Sequence, residues 1–237
     1  MDATSTINPP SFRLPALSIS HRLLLAVVLF IGLASPSMAA PERWLKEIDQ
    51  LTQTDQAHPP APGGIVFVGS SSIRLWKTLA EDFPGRNVIN RGFGGSHLED
   101  SVYYFDRIVA PYRPRAVVLY AGENDLAGGN KSPAQLVEDF VRFRTKLRAA
   151  LPEARLIYIS CKPSPSRAKA MEKFRAANAL IAAACTKDPL CTFVDVFPDM
   201  LDAQGAFRPE LFVGDMLHMN SRGYALWTKL LTPVLAR

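Results

Sequence analysis

The sequence predicts an α/β protein, a three-layer α/β/α sandwich around a five-stranded parallel sheet. Three observations carry that expectation. Five short, nearly continuous apolar runs alternate with helix-patterned segments, as in a parallel sheet buried on both faces and joined by right-handed crossovers. The chain has 237 residues, 48% apolar and 21% charged, enough for one domain with a sizeable core. No linker, internal repeat or low-complexity tract divides it, so residues 41–237 read as a single domain.

Residues 1–40 stand apart. Arg13 and Arg22 precede the apolar run Leu23–Ala34, and Ser35-Pro36-Ser37-Met38-Ala39-Ala40 follows. A basic region, an apolar core and a small-residue exit describe a secretory signal peptide, with cleavage after Ala39 or Ala40. The apolar run is shorter than the ~20 residues of a spanning helix, and Pro36 closes it. With that segment cleaved no stable membrane anchor is expected, and the mature chain would be periplasmic or secreted. Export suits the cysteines: Cys185 and Cys191 flank a Lys-Asp-Pro turn and could close a surface loop by disulfide, while Cys161 reads as a buried thiol.

In the mature chain, Pro41–Gln56 has helical spacing, with Trp44, Leu45, Ile48 and Leu51 on one side. A proline-rich break feeds the first strand, Ile65–Val68, which runs into Gly69-Ser70-Ser71-Ser72 and a helix reaching about Ala80. Strand two, Asn87–Asn90, ends in Arg91-Gly92-Phe93-Gly94-Gly95. Ser96 and Glu99 have the spacing of a capping box that opens a helix to about Val109. Strand three, Ala116–Tyr120, leads to Gly122-Glu123-Asn124-Asp125. A second capping box, Ser132 and Gln135 with Pro133 at the first helical position, starts a helix to about Ala150. Strand four is Arg155–Ser160, followed by a helix over Ser166–Ala184. Strand five is Thr192–Val196. A loop then carries Gly214-Asp215-Met216-Leu217-His218, and Ser221–Leu235 is the closing helix.

The net charge is +5. Its densest basic group, Arg142, Arg144, Lys146 and Arg148, falls on one predicted helix, which reads as a solvated helix face and not as a nucleic-acid surface. The glycines at 92, 94 and 95 match neither phosphate-loop pattern. Asp215 and His218 lack a third ligand at metal-site spacing.

In a parallel sheet the loops after strands one, two, three and five open on one edge. Ser71, Gly95, Asn124, Asp215 and His218 can therefore share a pocket. A serine hydroxyl needs a base to take its proton, and a histidine held by a nearby carboxylate is such a base. The oxyanion of an attacked ester needs donors, which the N–H of Ser71, the N–H of Gly95 and the Asn124 amide could supply.

These residues resemble the SGNH hydrolases, or GDSL-type esterases and lipases. The four blocks are Gly69-Ser70-Ser71, Gly95 within Asn90–Gly95, Gly122-Glu123-Asn124-Asp125 and Asp215-Met216-Leu217-His218, spread over about residues 64–235. The resemblance implies a flavodoxin-like fold and a Ser71–His218–Asp215 triad with Ser71, Gly95 and Asn124 at the oxyanion. It also implies an ester substrate and no metal or organic cofactor. The chain departs from the family at Ser70, where an aspartate is usual, and register favours Ser71 over Ser70 or Ser72 as nucleophile. The substrates expected are small acyl esters of carbohydrate, lysophospholipid or short lipid type. The alternative is a secreted glycan- or protein-binding module that keeps the pocket without turnover. Trp76 is expected in the core, Arg74 in an ion pair, His97 on the helix surface, and Glu123 and Asp125 in solvated or structural roles.

Overall fold

The computed structural model describes residues 41–128 and 130–236, besides Met1. The rest of the expected signal peptide and its cleavage site lie outside the described residues. Strands β1 (Ile65–Gly69), β2 (Val88–Gly92), β3 (Ala116–Tyr120), β4 (Arg155–Ile159) and β5 (Cys191–Val194) form one sheet. Their order is β2-β1-β3-β4-β5, and every neighbouring pair is parallel. Gly69 is in register with both Gly92 and Tyr120, so three strands end level. The chain leaves β1 to one side for β2 and returns on the other for β3. A crevice opens where such a reversal occurs, at the carboxyl ends of β1 and β3.

The helices are α1 (Leu45–Ala57), α2 (Ser71–Arg74), α3 (Leu79–Asp82), α4 (Leu98–Tyr103), α5 (Phe105–Ile108), α6 (Glu123–Ala127), α7 (Pro133–Ala150), α8 (Met171–Cys185) and α9 (Ser221–Leu235). Side chains alternate across each strand, and so feed two cores. Val66, Val68, Val117, Leu119 and Leu156 pack under α1, α4, α5, α7 and α8. Phe67, Val118, Tyr120, Ile157 and Ile159 pack under α2, α3 and α9.

Two expected helices depart from their expected course. The helix after Ser71 stops at Arg74 and resumes at Leu79. The Asn90 amide donates to the Ile73 carbonyl at 2.7 Å, taking the acceptor that Lys77 would need, and the Lys77 N–H turns to Leu75 instead. The break lets Trp76 enter the core, stacked on Tyr224, with its indole N–H donating to Asp82 at 2.6 Å. The helix after Gly95 starts one residue late. His97, not Ser96, is the N-cap, and its N–H donates to Asp100 at 2.7 Å, while the Ser96 hydroxyl turns back to the Phe93 carbonyl. The Ser132–Gln135 box forms as expected. Trp44, just before α1, and Ile48 on it are buried, but Leu45 is exposed.

The cations of α7 are engaged within the fold. Arg142 pairs with Asp139, Lys146 with Asp106 and Arg148 with Asp188, and Arg144 donates to the Ala184 carbonyl. No helix among the described residues is long and apolar enough to cross a membrane.

Candidate active site

Ser71 is the first residue of α2, directly beyond β1. Gly69 makes that sharp exit possible: its φ is +136°, and a Cβ there would lie 1.9 Å from the Tyr120 carbonyl oxygen. Only glycine meets both demands. Of the three serines, Ser70 and Ser72 are buried, and the Ser71 hydroxyl is the one that reaches a histidine. Its Oγ lies 2.9 Å from Nε2 of His218.

His218 sits in a short turn clamped at both ends. Val213 N–H donates to the His218 carbonyl, and Asn220 donates through its side chain to Glu210 and Phe212 while capping α9. Within the turn, His218 Nδ1 is 2.6 Å from Asp215 Oδ2, and the other Asp215 oxygen accepts the N–H groups of Leu217 and His218 at 2.9 Å each. Desolvation, the largest single influence, pushes the Asp215 carboxyl up. Hydrogen bonds from the His218 ring and the two N–H groups outweigh it and hold the carboxyl at about 2. Asp215 is thus a carboxylate across the neutral range, although its side chain is 47% exposed. An ionised acceptor on Nδ1 fixes the tautomer that leaves Nε2 free to accept the serine proton.

On the other side of the crevice, each side chain of Glu123-Asn124-Asp125 is tied to a different element. Asn124 donates from Nδ2 to the Ser96 carbonyl at 3.1 Å, joining α6 to the Gly95 loop. Its Oδ1 faces the Arg167 guanidinium at 3.4 Å. Asp125 is fully buried and accepts the Leu98 N–H, capping α4. Glu123 is also buried; it accepts from Lys162 at 2.9 Å, from the Tyr120 hydroxyl at 2.6 Å and from Ser164 at 3.3 Å. Glu123 and Asp125 are therefore structural and dry, not solvated. Lys162, itself fully buried, had no signal in the sequence beyond its place after strand four.

Gly95 adopts φ +72°, and nothing lies within 4 Å of the place its Cβ would take, so the backbone conformation alone requires glycine there. Among the described residues neither the Ser71 N–H nor the Gly95 N–H has a protein acceptor. Those are two of the three donors expected to face an oxyanion. Trp76 is in the core, as expected. Arg74 lies 3.7 Å from Glu47, and His97 is an N-cap near Glu99. Cys161 is buried, and burial pushes its thiol up. Cys185 and Cys191 are free thiols whose sulfurs lie 2.7 Å apart, at the end of α8 and the start of β5.

A parallel α/β sandwich thus brings Ser71, His218 and Asp215 into one hydrogen-bonded line beyond its carboxyl edge. The sequence model of the GDSL-like Lipase/Acylhydrolase family matches residues 49–226. The chain belongs to that family, and it is an ester hydrolase. It is 26% identical over 188 residues to the platelet-activating factor acetylhydrolase IB subunit alpha1 of Bos taurus, and 27% identical to that of Rattus norvegicus. Each match covers 73% of this chain and 75% of the relative. Among solved structures, a GDSL-like lipase from Bacteroides thetaiotaomicron superposes with a TM-score of 0.67 at 22% identity, covering 84% of this chain and 98% of that one. That likeness supports the fold.

Proposed function

We propose that the protein is an exported serine esterase that cleaves small acyl esters through an acyl-Ser71 intermediate. One observation carries the reading: the unbroken line from Asp215 to His218 to the Ser71 hydroxyl, at 2.6 and 2.9 Å. Ser71 Oγ attacks the ester carbonyl while His218 Nε2 takes its proton. The carbonyl oxygen becomes an oxyanion, held by the Ser71 N–H, the Gly95 N–H and the Asn124 amide. As the tetrahedral centre collapses, the C–O bond to the alcohol breaks and His218 returns the proton to the departing oxygen. Water then attacks the acyl-serine by the same proton path in reverse, releasing the acid and restoring Ser71.

The substrate class is short acyl esters of a carbohydrate, a lysophospholipid or a small lipid. His218 lies in a short turn, and no long lid-like insertion is apparent between the strands among the described residues, which favours an open site and a small acyl group. The name of the acetylhydrolase relatives points the same way. Export rests on the pattern of residues 1–40, and in an oxidising compartment the adjacent Cys185 and Cys191 sulfurs would pair.

The test is hydrolysis of nitrophenyl acetate, butyrate and octanoate by the purified chain and its Ser71→Ala variant. Acetate or butyrate should turn over fastest, and the variant should lose about 10³-fold or more in kcat. Undiminished turnover by the folded variant would reject Ser71 as nucleophile.

A further inference from the structure

We infer that Trp44, with Arg43 and Glu47, is a positioning residue that aims the Gly95 N–H at the oxyanion. This rests on the reading of Ser71 as nucleophile and extends it to a segment fifty residues away in sequence. The Trp44 indole N–H donates to the Gly94 carbonyl at 2.7 Å. That carbonyl and the Gly95 N–H belong to one peptide unit, which is planar and trans. In a trans peptide the C=O and N–H point in opposite directions, so pulling the Gly94 oxygen towards α1 turns the Gly95 N–H away from α1.

The two neighbouring peptide units are held from the same segment. Arg43 donates to the Gly95 carbonyl at 3.0 Å, and the Gly94 N–H donates to Glu47 at 3.4 Å. The loop needs such outside ties. Two adjacent glycines have little intrinsic preference for one orientation of the plane between them, and Gly95 is already at φ +72°. Rotation of that one plane would exchange the Gly95 N–H for a carbonyl oxygen, turning an oxyanion donor into a repulsive dipole. A donor on the Gly94 oxygen also polarises the peptide and strengthens its N–H as a donor. Trp44 is itself anchored: it is buried in a T-shaped pair with Phe93 at 5.8 Å, and the Arg43 guanidinium lies over its ring.

The experiment compares the full-length chain with Trp44→Phe, which keeps an aromatic ring against Phe93 and removes the indole donor together with some buried volume, and with Arg43→Met at an exposed position. Nitrophenyl acetate kinetics are read as kcat and KM separately, beside thermal melting and a Ser71→Ala control. Deleting an oxyanion donor costs about 10²–10³-fold in kcat, and misaiming one is the smaller effect. Trp44→Phe should therefore lose about 10- to 100-fold in kcat with KM within about twofold, and Arg43→Met a few-fold in kcat with its melting temperature kept. A role in packing alone would lower the melting temperature and leave kcat of the folded enzyme unchanged, and that result overturns the proposal. So does a rise in KM at constant kcat, which would place Trp44 against substrate. If Trp44→Phe does not fold, Arg43→Met decides, and unchanged kcat there counts against the proposal. Wild-type activity that survives Ser71→Ala would instead reject the underlying reading, and the proposal with it.

Discussion

Two polar constellations flank the crevice between β1 and β3, and they are built by opposite means. The Asp215–His218 turn stands half in solvent, with only about a quarter of the His218 side chain accessible and nearly half of Asp215. Its order comes from short-range hydrogen bonds inside a six-residue turn closed by Val213 and His218. The Glu123–Lys162 pair across the crevice is dry, and both side chains reach it from the ends of central strands. A buried ion pair gives little net stability, because desolvating both charges offsets their attraction. What it gives is a single permitted position: Glu123 fixes the start of α6, and Asn124 is the next residue. On the proposed mechanism the mobile proton belongs to the exposed side, and the buried side sets the Asn124 amide, one of the three proposed oxyanion donors. Altering either should therefore fail differently.

Asp215→Asn should have the largest effect, and on activity alone. The amide leaves His218 in the wrong tautomer, so kcat falls about 10³- to 10⁴-fold. The melting temperature changes little, since surface ion pairs contribute about 0–1 kcal/mol. Kinetics and calorimetry on one preparation check both halves. A large loss of stability would mean that the turn, too, is structural.

Lys162→Met should reverse that pattern. It leaves the Glu123 carboxylate buried and unpaired, at a cost of about 3–5 kcal/mol. Denaturant unfolding reads the loss directly. Adding Glu123→Gln in the same chain should recover most of it, and failure to recover would mean that Lys162 acts through its stem and not its charge.

The smallest effect sharpens the boundary between the two sides. Asp100 caps α4 beneath the Gly95 loop. Burial pushes its carboxyl up to about 7, against the opposing His97 N–H and Arg43 charge, and its Oδ1 has no hydrogen-bond partner among the described residues. Because its folded value lies above its unfolded one, the native state holds the extra proton between about pH 4 and 7. Its contribution to stability is full below pH 4 and is lost as pH rises through 7, by at most about 4 kcal/mol. Asp100→Asn keeps the acceptor for His97 and removes the titration. The variant should gain melting temperature relative to wild type at pH 8 and not at pH 4; an equal difference at both would show that Asp100 does not titrate there.

The part of this that could be read from the sequence is the part that recurs locally. Continuous apolar runs gave the strands to within two residues at most ends, and a parallel sheet then placed Ser71, Gly95, Asn124 and His218 on one edge. Helix breaks were harder, because they depend on long-range partners. The Asn90 amide that ends α2 comes from a neighbouring strand, and Trp76 enters the core through the gap. Lys162 and Glu123 are separated by 39 residues, so no window holds both. The charge of Glu123 alone suits a solvated or a structural role, and the buried pair with Lys162 decides between them. Trp44 was legible as a core residue, but that its indole N–H meets the Gly94 carbonyl was not.

The most direct test of the central claim is covalent trapping. The intact chain is incubated with a nitrophenyl alkylphosphonate, which leaves a stable phosphonyl group on an activated serine, and the adduct is mapped by peptide mass spectrometry. The account predicts one phosphonyl group per chain, on Ser71, and none on Asp215→Asn within the same time, because His218 no longer removes the proton. Modification at Ser70 or Ser72, or labelling of the Asp215→Asn chain at the wild-type rate, would contradict it.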